Sequence, residues 1–301
     1  MKYIFMMALV CVAVSACNRA IMPSTTPVVN SEIQNEQGKT ILAGHCSLSI
    51  VQTDPYKEWF DKSYTAYTVD TSTALLIRPL LEDKTIEIFL GSWCGDSKRE
   101  VPRMIKILQT ALFDTSHLKL IFVDNSTSKY KQSPQHEEAG KLVHHVPTII
   151  IYEHNKELGR IIESPVVSLE KDMLAILTKS SYKPNYQGIA YWHKNVKKAN
   201  RLLSDERLQT IAGTIKPYCK RMSEFNAYGY VLLAQKNYTE ALNVFKLNTF
   251  IFPDVAGTYD SLGEAYMDTG DKENSKKNYE KVLQLTPGDA NALKMLDKLK
   301  Q

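Results

Sequence analysis

The stretch Leu90-Gly91-Ser92-Trp93-Cys94-Gly95-Asp96-Ser97-Lys98 decides how the first half of the chain is read. It follows the apolar run Thr85–Leu90, which suits a buried strand, and it opens a helical pattern over Ser97–Phe113. A cysteine at such a junction sits in the first turn of a helix, where unpaired backbone N–H groups and the positive end of the dipole favour thiolate over thiol. Gly95 lets the backbone turn sharply into the helix and leaves the sulfur uncovered. Cys94 is therefore the candidate nucleophile, with Trp93 as aromatic surface beside it.

Working outward, Leu118–Val123, Thr148–Tyr152 and Leu158–Ile162 read as further strands, and Pro134–Val143 and Val166–Thr178 as further helices. Upstream, Pro55–Tyr67 and Ser72–Leu81 have helical spacing, and Ser47–Val51 is a candidate edge strand. Strands alternating with helices and ending in two adjacent strands describe an α/β domain over residues 41–180, a mixed sheet with helices on both faces.

These residues resemble the thioredoxin superfamily. Trp93, Cys94 and Gly95 match its active-site motif, with Lys98 and Pro102 following, and Val146-Pro147-Thr148 before a strand matches its cis-proline loop, with Gly159 in the next hairpin. The resemblance implies a thioredoxin-like fold in which a cis peptide before Pro147 turns the Val146 backbone toward Cys94. Trp93, Gly95, Val146 and Pro147 would then form the substrate-binding surface. The chain departs from the pattern twice. Ser97 stands where the resolving cysteine belongs, and Ile88 stands six residues before Cys94, where thioredoxins place a buried acid. A dithiol cycle closes an internal disulfide, so Cys94 alone is limited to monothiol exchange or cysteine protection. In that reading Ser97 donates a hydrogen bond to the sulfur, and the partners are protein or peptide thiols and disulfides. The alternative is a non-catalytic adaptor built on the same fold. The Cys-Gly-x-Ser string is also similar to monothiol glutaredoxins, but Trp93, Lys98 and Pro102 favour the thioredoxin side.

His144 and His145 directly precede Val146, so at least one should reach the surface around Cys94, where a protonated imidazole would stabilise a thiolate. With Cys94 they offer three metal ligands in poor geometry, and no metal or cofactor is expected. Cys46 and Cys219 are open to pairing with each other, to Cys46 acting as an outside resolving thiol, and to being inert buried thiols.

Beyond Met222 the chain repeats. Gly229 recurs at Gly263, Phe225 at Tyr259, Phe245 at Tyr279 and Pro253 at Pro287, with Ala241 answered by Ser275, each at an offset of 34 residues. The pattern resembles the tetratricopeptide repeat, which implies helix-turn-helix units at 222–255 and 256–289, a capping helix at Ala290–Leu299, and a surface for a protein partner. Residues 181–221 read as a helical connector or a degenerate repeat.

The remaining features bound the setting. In 301 residues, 44% hydrophobic and 23% charged, 37 basic side chains face 33 acidic ones, spread too evenly for a nucleic-acid footprint. Met1–Ala16 has one early charge, an apolar stretch and small residues at its end, as in a signal peptide too short to span a bilayer. Val14-Ser15-Ala16-Cys17 resembles the bacterial lipobox, which implies acylation at Cys17, loss of Cys11 with the signal, and anchoring in the cell envelope with a membrane as partner. Asn18, in place of a retention aspartate, favours the outer membrane or its periplasmic face. Residues 17–40, polar and without apolar period, read as a flexible tether.

Overall fold

The computed structural model describes residues 29–196 and 201–300. The signal segment, Cys11, Cys17 and the first part of the tether lie outside the described residues.

The first half is built on a six-stranded sheet of β1 (Ser31–Gln34), β2 (Thr40–Cys46), β3 (Lys84–Leu90), β4 (Leu118–Phe122), β5 (Thr148–Glu153) and β6 (Lys156–Ile162), in spatial order β1-β2-β4-β3-β5-β6. β3 and β4 run parallel and every other neighbouring pair is antiparallel, so the sheet is mixed. The period of two in β3 sets the two faces. Ile86, Ile88 and Leu90 go into the large core with Leu120, Phe122, Ile149 and Ile151, whereas Phe89 goes to the other side with Ile121 and Ile150. Each such side chain fully buried contributes roughly 1.5–3 kcal/mol.

Four helices close the large core: α1 (Lys57–Ala66), α2 (Thr71–Ile77), α3 (Gly95–Thr110) and α4 (Leu169–Leu177). α3 buries Val101, Met104, Ile105 and Leu108, a spacing of three and four that keeps one stripe on the sheet. The start of α4 is fixed by Ser168, whose hydroxyl accepts the Lys171 N–H.

Three expectations are corrected. Pro134–Val143 forms turns rather than a helix, with His136 (φ 57°), Gly140 (φ 75°) and Leu142 (φ 53°) all left-handed, a backbone no helix accommodates. Ser47–Val51 is not a strand; it turns and enters a 3-10 helix at Ile50–Gln52, with the Ser47 N–H held by Asn30 Oδ1 at 2.8 Å. The tether ends earlier than its composition suggests, because Ser31–Gln34 pairs with Thr40–Ala43. That strand is held by backbone hydrogen bonds at a polar edge, so no apolar pattern announces it.

The second half is all helical: α5 (Gln187–Asn195), α6 (Asp205–Ile215), α7 (Ser223–Ala234), α8 (Tyr238–Ile251), α9 (Ala256–Asp268), α10 (Lys272–Leu285) and α11 (Ala290–Leu299). The 34-residue offset has a packing cause. A Cβ on Gly229 would lie 2.4 Å from Phe245 Cζ, and one on Gly263 would lie 3.1 Å from the Tyr279 ring. At equivalent places in α7/α8 and α9/α10 a missing side chain thus admits an aromatic ring, and both rings are fully buried. α5 lies against α7 and α6 against α8, with Trp192 and Ile215 in the shared core.

Candidate active site

Cys94 is the residue at which the extended chain leaving β3 becomes α3; it has φ −89° and ψ 126°, and its side chain caps no backbone group. Its thiol, half-buried, donates instead to the carbonyl of Val146 at 3.2 Å, next to the cis Val146–Pro147 peptide. Trp93 donates from Nε1 to the Val123 carbonyl at 2.9 Å. Its ring lies so close to the backbone that a Cβ on Gly91 would be 2.5 Å from it, which explains a glycine there. Gly95 is exposed, and a Cβ added to it would meet nothing within 4 Å. Asp96 in the first turn is tied to Arg99 at 2.6 Å.

Ser97 does not take the place expected for it. It is 1% exposed and its hydroxyl accepts the Gly91 N–H at 3.2 Å, bracing the turn, while the sulfur is bonded to Val146. Ile88 is wholly buried in the core, so no carboxylate reaches the thiol from that position.

A cavity of about 340 Å³ opens over Cys94, between the α/β domain and the helical half. Trp93, Tyr130, Lys131, His145, Val146 and Glu163 line it from below, and α7 lines it from above with Met222 just before the helix and Ser223, Asn226, Ala227 and Tyr230 within it. Aromatic contacts fix α7 in that position. Tyr130 and Tyr230 meet edge to face at 6.3 Å, and His144 meets the Tyr228 ring at 6.3 Å. Tyr186, at the entrance to α5, stacks on His145 at 4.0 Å and donates its hydroxyl to Glu163. The site is a cleft whose roof belongs to the helical half.

The histidine pair is neutral, not cationic. His144 and His145 are 3% and 6% exposed. Burial first, then the Lys131 and Arg160 charges, lowers His144 to about 3; burial, His144 and Lys131 push His145 down as well. Their Nδ1 atoms are 2.7 Å apart, so one carries the proton and the other accepts it. His145 lines the cavity, but the thiolate-stabilising imidazolium expected there is absent, because burial beside a cation disfavours a second positive charge.

The charge near the sulfur comes from a residue the sequence did not single out. Lys131 is 5% exposed, donates to the His144 carbonyl at 2.6 Å, and lies 4.5 Å from the centre of the Tyr130 ring. Burial lowers it to about 8, against the opposing pull of Cys94 and Glu163. In a polar run such as Ser126–Lys131 a lysine reads as a solvated loop residue, but the pairing of Lys131 N–H with Asp124 O and of Asp124 N–H with Gln132 O folds the segment back on itself, and Lys131 Nζ reaches the His144 carbonyl.

Cys46 and Cys219 are free thiols outside this cavity. Burial pushes Cys46 up to about 11 and Cys219 up to about 12, which suits inert packing thiols. Among the described residues no group of three or more His, Cys, Asp or Glu side chains is placed to hold a metal ion, and no helix is long and apolar enough to cross a membrane.

No curated protein matches the chain. Residues 256–289 match the tetratricopeptide repeat, the helix pair α9–α10. The chain is thus a mixed α/β domain joined to a helical-repeat region of a type that binds proteins.

Proposed function

We propose that the α/β domain is a thioredoxin-superfamily domain that carries out monothiol exchange at Cys94, with the helical region holding a protein partner over the site. The observation that carries this reading is the setting of the sulfur: a half-buried thiol at the first turn of α3, bonded to the carbonyl before a cis proline and roofed by α7. The thiolate attacks one sulfur of a substrate disulfide, an S–S bond forms to Cys94 as the substrate S–S bond breaks, and the displaced thiolate takes a proton from water. Among the described residues the other cysteines, Cys46 and Cys219, lie elsewhere, so an external thiol attacks the mixed disulfide to regenerate Cys94. The cycle needs no cofactor. The lipobox-like string ending at Cys17 supports an envelope location for it, where disulfides persist.

The absence of a resolving thiol beside Cys94 among the described residues favours a second reading, in which the cleft only binds. The two separate on turnover. Purified protein is mixed with a disulfide-linked peptide and a small external thiol, and peptide thiol release is followed. Catalysis that is lost in Cys94→Ser supports exchange; release equal in both chains leaves the adaptor.

A further inference from the structure

The exchange reaction proposed above moves a negative charge along three sulfurs, and a half-buried cleft can host that charge only if something opposes it. Beyond the N-terminus of α3, the side chains expected to help at Cys94 do not: Ser97 faces Gly91, and both histidines are neutral. Among the described residues one cation lines the cavity. Lys131 is almost wholly enclosed, and its ammonium, with three N–H donors, has the His144 carbonyl as its one hydrogen-bond acceptor and the Tyr130 ring as a second neighbour among the described residues. No carboxylate lies within ion-pair distance of it among the described residues; Glu163, which lines the same cavity, takes the Tyr186 hydroxyl. A buried cation without a carboxylate partner is costly unless an anion is bound beside it.

We propose that Lys131 is the countercharge of the sulfur at position 94, a positioning residue that stabilises the thiolate and the charge passed between sulfurs. The inference rests on the monothiol reading. The groups around Lys131 are Cys94 from the start of α3, His144 and His145 from the loop before β5, Glu163 from the end of β6, and Tyr130 beside it. Tyr186 adds its hydroxyl through Glu163, and α7 contributes Tyr230, uncharged at neutral pH. The negative charge at position 94 therefore acts on Lys131 as much as Lys131 acts on it, and the coupling is reciprocal.

Two measurements test it. The first is the rate of mixed-disulfide formation at Cys94 at pH 7 in wild type, Lys131→Met and Lys131→Arg. A cation lining the same half-buried cavity favours the thiolate over the thiol, so the methionine variant should react about tenfold more slowly or worse, with the arginine variant largely retaining the rate. A merely structural lysine leaves the rate unchanged in Lys131→Met. The second needs no change at Lys131: the titration midpoint of its ammonium is followed by carbon NMR in wild type and in Cys94→Ser. The midpoint should fall by about one pH unit when the sulfur is removed, and an unmoved midpoint overturns the proposal. Absence of any exchange in wild type removes the monothiol reading, whereas exchange that persists unchanged in Lys131→Met removes only the countercharge.

Discussion

Replacing Glu224 by glutamine isolates one buried charge and gives a stability difference whose pH dependence can be worked through. Glu224 lies on α7, is 2% exposed, and accepts the Ile189 N–H at 3.0 Å, so it joins α7 to α5. Burial pushes its carboxyl up to about 7, partly opposed by the backbone N–H groups of Ile189 and Gly188. In the unfolded chain the same group titrates near about 4.3. The folded state therefore binds the proton more tightly, and this contribution to stability is full below about pH 4 and is lost as pH rises through 7. Integrating between about pH 5 and about pH 8.5 gives about 2.5 kcal/mol. Glutamine keeps the acceptor oxygen and cannot ionise, so Glu224→Gln should gain about 2.5 kcal/mol on wild type across that span. Every other titrating group is common to both chains and cancels. Urea unfolding followed by circular dichroism at the two pH values reads the difference directly. A difference that stays flat to within about 0.5 kcal/mol would refute the reasoning, since Glu224 would then ionise in the fold without penalty.

The histidine pair acts in the opposite direction. His144 and His145 resist protonation in the fold, so their contribution is present above about pH 6.5 and is lost as pH falls toward the folded value of about 3 for His144. Each should remove roughly 1.4 kcal/mol per pH unit in that window. Measured in the Glu224→Gln background, where Glu224 no longer compensates, acid destabilisation should be steep, and substituting His144 by glutamine should flatten it. A second test uses the repeat packing. Gly229→Ala places a methyl 2.4 Å from the buried Phe245 ring and should cost about 1–3 kcal/mol, whereas Gly95→Ala, with open space around it, should leave the melting temperature nearly unchanged. Equal melting temperatures for the two would remove the close approach of α7 and α8 as the reason for the repeat's glycine.

What the sequence announced was what periodicity and fixed offset can carry. The β3–α3 junction was legible because Thr85–Leu90 alternates faces and Val101, Met104, Ile105 and Leu108 fall on one stripe of the following helix. The helical repeats were legible because Gly229/Phe245 and Gly263/Tyr279 solve the same packing problem 34 residues apart. β1 was not, since Ser31–Gln34 contributes backbone pairing and almost no apolar surface. The turns at 134–143 were misread because their helical spacing gives no sign of three left-handed residues. Around the candidate site, Cys94, Trp93 and Val146 line one cavity with Pro147 next to Val146 in the chain, but the roof did not follow from the sequence. Tyrosine suits cores and interfaces alike, so nothing in Tyr130 or Tyr230 identified them as the contact that brings α7 over the sulfur. Lys131 was missed for a related reason: the sign of a charge is visible in sequence, and its burial is not.

On the proposed reading Cys94 is a nucleophile prepared by its surroundings rather than an incidental thiol. The most direct test is the second-order rate of mixed-disulfide formation at pH 7 with a small aromatic disulfide, located by mass spectrometry and compared with an unstructured peptide carrying Trp93–Lys98. Modification is expected at Cys94 ahead of Cys46 and Cys219, at a rate at least about tenfold above the peptide's. Modification of Cys94 no faster than the peptide would contradict it.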